Sequence, residues 1–143
     1  MKLSTRARYG LRALIDLGVY SDMEVTSIQS IADRQKISVS YLEQLMAKLK
    51  RAGFVESTRG AGGGYRLAKH GEQISVGEVL RVLEGNLEAV SCSGYQEEEK
   101  CTESDICVAK YVWKRINDSI IEAVDTITLG ELINESRMKL REK

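Results

Sequence analysis

Apolar positions recur at helical spacing along most of this chain, and the breaks in that rhythm mark its elements. Ala7, Leu11, Leu14, Ile15 and Leu17 form one stripe, which predicts a first helix from Thr5 to Tyr20. Asp22–Val25 is a connector. Thr26 or Ser27 then caps a short helix that turns Ile28, Ile31 and Ala32 inward. After Gln35-Lys36-Ile37, with Ile37 buried in a tight turn, Ser38 caps a third helix. Its stripe is Leu42, Leu45 and Leu49, while Ser40, Glu43, Gln44, Lys48 and Arg51 lie mostly on the other side. Ser40-x-x-Glu43 also fits a capping box, which would occupy Glu43 locally. Gly53 closes this helix at a C′ position.

The period then shortens. Val55–Thr58 and Tyr65–Ala68 read as short strands, and the glycine-rich Arg59–Gly64 segment can join them as a hairpin. Ser75-Val76-Gly77-Glu78 is a capping box opening a helix through Leu83, with Val76, Val79, Leu80 and Leu83 buried and Gly85 at its end. Residues 86–103 are a loop. From Ser104 to about Ile127 the pattern predicts one long helix, roughly 35 Å at 1.5 Å per residue. Its stripe is Ile106, Val108 or Ala109, Val112, Trp113, Ile116, Ile120, Ala123, Val124 and Ile127. That is more apolar surface than a small domain must cover, so the helix is expected to pair with a second copy. Thr128-x-x-Glu131 opens a short last helix, with Arg137–Lys143 frayed.

The fold class is therefore mainly α: a winged helix-turn-helix with a small β-hairpin wing and a long C-terminal dimerisation helix. The organisation expected is 1–85 for a DNA-binding domain, 86–103 for a cysteine-containing sensor loop, and 104–143 for the dimerisation helix and the C-terminal helix.

Charge sharpens this picture. The net charge is zero, but residues 1–69 hold 12 Lys/Arg against 6 Asp/Glu, and residues 70–143 hold 9 against 15. A basic first half suits a polyanion. Arg6, Arg8 and Arg12 sit near the start of the first helix, where cations are unfavourable unless an external anion such as a DNA phosphate offsets them. The polar face of the third helix can meet base edges and phosphates. The Gly60-Ala61-Gly62-Gly63-Gly64 run lacks the surroundings of a nucleotide loop. As a wing it lets backbone approach DNA closely and places Arg59 to enter a narrow minor groove. An ordinary amphipathic helix with a solvated polar face is the alternative.

The 43% apolar fraction can supply a core. No apolar run has the length to span a bilayer, and Met1–Arg6 lacks a signal peptide's apolar segment, so a cytoplasmic location without a membrane partner is expected. One histidine, no paired-acid motif and no cofactor fingerprint propose no reaction, so an enzyme is not expected.

Three cysteines, Cys92, Cys101 and Cys107, are spaced C-x8-C-x5-C. Their odd number does not suit a secreted disulfide framework, and the spacing is not that of a zinc ribbon. Crowded thiols at a helix start favour metal or redox chemistry; Cys107, expected in the first turn of the long helix, has the helix dipole to lower its thiolate pKa. Soft thiolates suit an iron–sulfur cluster or zinc.

Leu3–Gly10 (LSTRARYG), Ser40–Leu45 (SYLEQL), Arg59–Tyr65 (RGAGGGY) and Ile127–Leu132 (ITLGEL) together resemble the iron–sulfur cluster regulators of the IscR type, over nearly the whole chain. The resemblance implies a homodimeric winged-helix transcription factor on double-stranded DNA, its long helices crossing in the dimer, with a [2Fe–2S] cluster tuning DNA choice. Carried to matching positions, Cys92, Cys101 and Cys107 would be ligands, Ser40, Glu43 and Gln44 would face bases, and Arg59 would serve the wing. The expected DNA-contacting set is Arg8, Ser38, Ser40, Tyr41, Glu43, Gln44, Lys48, Arg59, Gly60 and Gly62. The sequence departs from the family in two ways. The first cysteine interval is longer, and Lys110 stands where many members have histidine. Related regulators take a ligand from the first helix, but Arg8 and Arg12 there cannot ligate. A fourth ligand could be Glu103, Asp105, a serine hydroxyl or water. The same fold sensing thiol state or a metabolite without a cluster, and a zinc-stabilised interaction module, are the rival readings.

Overall fold

The computed structural model describes residues 2–21, 24–90 and 106–143. Helix α1 (Thr5–Tyr20) opens on Ser4, whose hydroxyl accepts from the Ala7 amide. Helix α2 (Ile28–Gln35) opens on Ser27 and ends at Lys36, which adopts a left-handed conformation with φ of 56°. That reversal makes the turn of the helix-turn-helix. Ile37, expected to be buried there, is only half-buried. Ser38 caps helix α3 (Val39–Arg51) by accepting from the Tyr41 amide. Gly53, at φ of 84°, follows it in a conformation an L side chain would resist.

Strands β1 (Val55–Thr58) and β2 (Gly64–Leu67) pair antiparallel, with Val55 opposite Leu67 and Thr58 opposite Gly64. The hairpin has a third partner that the residue pattern did not indicate. Thr26 and Tyr65 exchange two backbone hydrogen bonds of 2.8 Å each, tying the α1–α2 connector to the wing. A single 3₁₀ turn at Gly71–Gln73 leads to helix α4 (Val76–Glu84), which has both halves of the expected capping box between Ser75 and Glu78.

The core is one cluster. Ala7, Ala13, Leu14 and Leu17 of α1 meet Leu42, Leu45, Met46 and Leu49 of α3 and Val79, Leu80 and Leu83 of α4. Each fully buried leucine contributes about 1.5–3 kcal/mol over exposure. Leu129 and Ile133 join the same cluster, because the last helix folds back along α1.

Two expectations for the C-terminal region are corrected. The long helix does not begin at Ser104: residues 106–109 form turns, and helix α5 runs Lys110–Asp125, about 24 Å. Nor is the end of the chain frayed from Arg137. Helix α6 runs Leu129–Arg141, capped by Thr128, and Arg137 Nη2 donates to the Gly18 carbonyl of α1 at 3.0 Å. That contact anchors the turn expected to be loose.

Candidate nucleic-acid interface

The buried leucine stripe of α3 fixes which face it shows to solvent. Ser40, Glu43 and Gln44 are exposed, Lys48 is half-buried, and Tyr41 lies partly against the core. The Ser40–Glu43 capping box does not form. Ser38 is the cap, and Ser40 lies two residues inside the helix, so its hydroxyl and the Glu43 carboxylate stand on the same open surface. Neither Glu43 nor Gln44 makes a side-chain hydrogen bond among the described residues. This is a surface with donors and acceptors of the kind that read base edges.

This exposed face of α3 is held from behind. Tyr9 of α1 meets Tyr41 edge-on, with ring centroids 6.3 Å apart at 87°, and the Arg12 guanidinium lies 5.0 Å from the Tyr9 centroid. Arg12 also donates to Gln35 Oε1 at 3.1 Å. Gln35 in turn donates to Asp16, which is 4% exposed and takes a bidentate pair from Arg34 at 2.7 and 2.9 Å. Burial of a carboxylate is costly unless its oxygens are satisfied, and Arg34 and Gln35 satisfy these. The guanidinium of Arg34, held charged chiefly by its hydrogen bonds to Asp16, covers the Tyr20 ring at 4.0 Å. The network locks the last turn of α2 to α1 immediately before the left-handed Lys36.

The wing projects beside α3. Lys50 Nζ donates to Ser57 Oγ at 2.6 Å, joining the end of α3 to β1. Gly60 and Gly62 have φ of 99° and 82°, and the Gly63 amide bonds the Gly60 carbonyl at 2.9 Å to close the tip. Arg59, Gly60, Ala61 and Gly62 are all exposed. On α1, Arg6 and Arg8 are exposed near the amino end.

Of the three thiols, Cys92 and Cys101 lie outside the described residues, as do Glu103 and Asp105. Cys107 is a free, half-buried thiol. It precedes Ala109, the residue before α5, and so is not in the helix's first turn as expected. Lys110 is the first residue of α5. Among the described residues no three His, Cys, Asp or Glu side chains cluster as metal ligands. No described helix is long and apolar enough to cross a membrane.

A family model described as Rrf2, an iron-dependent transcriptional regulator, matches residues 3–135. The chain belongs to the Rrf2 family. The transcriptional regulator IscR of Pectobacterium atrosepticum is 36% identical over 138 residues, covering 96% of this chain and 82% of that one. Among solved structures, CymR of B. subtilis, the global cysteine regulator of that organism, is 38% identical with a TM-score of 0.78, covering 94% of this chain and 98% of that chain. The IscR of T. potens is 40% identical with a TM-score of 0.76, covering 95% and 88%. These relatives are regulators of transcription, and this Rrf2 chain is an IscR-like transcriptional regulator rather than an enzyme.

For this Rrf2 chain, sequence reasoning missed the side chains that support α3 from behind. Asp16 meets Arg34 and Gln35 across α1 and α2, and Tyr9 meets Tyr41 across α1 and α3; no local spacing announces a contact between residues 18 or 32 positions apart. A hint was present in Asp16, one acid among the apolar positions Ile15 and Leu17.

Proposed function

We propose that this chain is a homodimeric, sequence-specific DNA-binding regulator, acting in the cytoplasm, whose choice of DNA is tuned by a [2Fe–2S] cluster held by Cys92, Cys101 and Cys107. The observation that supports DNA reading best is the pairing of an open polar face on α3 with an exposed glycine tip carrying Arg59. In this reading α3 enters the major groove. Gln44 pairs with adenine, Ser40 bonds either kind of base, and Glu43 accepts from cytosine N4 while repelling phosphate. Arg8, Ser38, Tyr41, Lys48, Gly60 and Gly62 serve the backbone and the wing, and the dimer reads a near-palindrome.

Dimerisation is supported by the apolar face left open by α5 and the residues before it. Ile106, Val108, Tyr111 and Val112 are 79%, 76%, 68% and 53% exposed. A contiguous face of this kind marks an interaction surface.

The donor set fits a cluster by its chemistry. Three soft thiols suit iron–sulfur ligation, and the described one, Cys107, is uncapped by any disulfide and partly shielded from water. Lys110 offers no imidazole where many relatives have histidine, so the fourth ligand comes from elsewhere. When bound, such a cluster supplies a redox- and iron-sensitive state. The chain's own part would be to supply three sulfur ligands from residues that precede α5 in the sequence.

A second reading, a regulator of thiol state without a cluster, is favoured by the match to CymR, which covers 94% of this chain and 98% of that one. Substitution Glu43→Ala, measured by fluorescence anisotropy over a panel of DNA sites, tests the reading role. A changed rank order of sites supports it. An unchanged order removes Glu43 as the discriminator.

A further inference from the structure

The structure joins the end of α4 to the amino end of α1 through one carboxylate. Glu84 is the last residue of α4, and only Gly85, at φ of 90°, separates it from the stretch 86–103 expected as the sensor loop. Its Oε2 accepts from the Ser4 backbone amide at 3.0 Å and from the Ser4 hydroxyl. That same hydroxyl accepts from the Ala7 amide at 3.1 Å as the cap of α1. Glu84 therefore holds the cap in place from outside the helix.

The first turn of α1 contains no acidic residue of its own, although Arg6 and Arg8 crowd it with positive charge. Glu84 supplies the missing anion. Its pKa is lowered first by the Ser4 hydroxyl, then by the Ser4 amide, with Arg6 adding to the effect. Directly behind it, Leu83 packs on Gly10 so closely that any Cβ at position 10 would collide with it. The end of α4 is thus packed directly against α1.

The other side of this junction is tied to α5. Arg81 makes a bidentate pair with Asp125 at 2.7 and 2.9 Å. Asn117, 1% exposed, accepts from the Ala89 amide at 2.7 Å, three residues before Cys92. A shift of the chain between Ala89 and Glu84 thus bears on both α5 and the α1 cap.

We propose that Glu84 is a positioning residue for DNA binding. By capping α1 through Ser4 it sets where Arg6 and Arg8 present their charge, and it passes changes of state at the cysteines to that basic turn. The proposal rests on the cysteine-sensor reading above, in either its cluster or its thiol form.

The test compares wild type, Glu84→Ala, Glu84→Gln and Ser4→Ala. Each chain is reduced, then either loaded anaerobically with ferrous iron and sulfide or oxidised with diamide, and its DNA affinity is measured against salt. Wild-type affinity is expected to change about fivefold or more between reduced and treated chains, within the usual range of coupling between sites. Glu84→Ala should narrow that ratio to about twofold or less. Glu84→Gln, which keeps the acceptor, should restore most of it, and Ser4→Ala should give an intermediate loss.

A second readout uses the unloaded chain. Amide hydrogen exchange at Ala7 and Arg8 should quicken in Glu84→Ala, while the amides of α3 keep wild-type protection. A responsive wild type with an equally responsive Glu84→Ala overturns this proposal alone. A wild type that responds to neither treatment overturns the sensor reading and the proposal with it. Unchanged exchange at Ala7 overturns the capping role, whatever the DNA affinities show.

Discussion

Tyr9 and Tyr41 meet edge to face across the α1–α3 junction, and this contact seats the second helix of the helix-turn-helix directly on the scaffold behind it. An aromatic pair in this geometry is worth about 0.5–1.5 kcal/mol beyond its buried area. A double-mutant cycle with Tyr9→Leu and Tyr41→Leu, followed by urea unfolding, should return a coupling energy in that range. Tyr9→Leu alone should also weaken specific DNA binding, though Tyr9 itself faces inward. Additive stability changes would show that the rings are neighbours without interaction.

Two glycines three residues or less from the wing tip are required for different reasons. A Cβ on Gly64 would run into the backbone carbonyl of Thr26, so Gly64→Ala must open the Thr26–Tyr65 pairing. Losing two backbone hydrogen bonds costs about 1–3 kcal/mol. Gly62 has open space around it and needs only its positive φ, a cost of about 1–2 kcal/mol for alanine. Thermal melts should show the larger loss for Gly64→Ala, which alone should quicken exchange at the Thr26 and Tyr65 amides. Equal effects on both amides from the two variants would contradict the separation.

Much of this molecule was legible in its residues, because local signals and global packing agree. Ser38, Ser75 and Gly53 mark helix ends, and the leucine stripe of α3 names its buried face. The start of α5 was misjudged because nothing marks it: Ala109 caps without a side-chain hydrogen bond, and Ile106 and Val108 extend the apolar rhythm backwards into a turn. Ser40–Glu43 satisfied a capping pattern, but Ser38 already held the cap. The length of α6 depends on Arg137 reaching Gly18, a contact between distant parts of the chain. The candidate site divided in the same way: the α3 surface followed from periodicity, and its supports at Asp16 and Arg34 followed only from the fold.

Stability should fall in acid through two carboxylates. Ser4 lowers the pKa of Glu84 from its ordinary 4.5, and Arg81 lowers that of Asp125 from 3.8. For each group the folded-state pKa lies below the unfolded one. The stabilisation is therefore complete above the unfolded value and is lost as pH falls through the folded value. Melting temperatures from pH 6 to pH 3 should decline below about pH 4.5, and a Glu84→Gln, Asp125→Asn double variant should decline less steeply. Parallel curves would show that neither contact matters to stability.

The open face of α5 should be the dimer seam. Val112 is 53% exposed, so Val112→Asp should leave the protomer folded. Sedimentation equilibrium should then report a monomer, with weakened binding to a two-half-site DNA. A Val112→Asp chain that sediments as a dimer would place the seam elsewhere.

Iron and acid-labile sulfide, assayed together with visible absorption on anaerobically purified protein, test the proposed sensor most directly. The cluster reading requires about two iron and two sulfide per chain, with visible bands that disappear in Cys92→Ala, Cys101→Ala and Cys107→Ala. A colourless, iron-free chain whose DNA binding still follows thiol oxidation would contradict it and establish the thiol-sensing reading in its place.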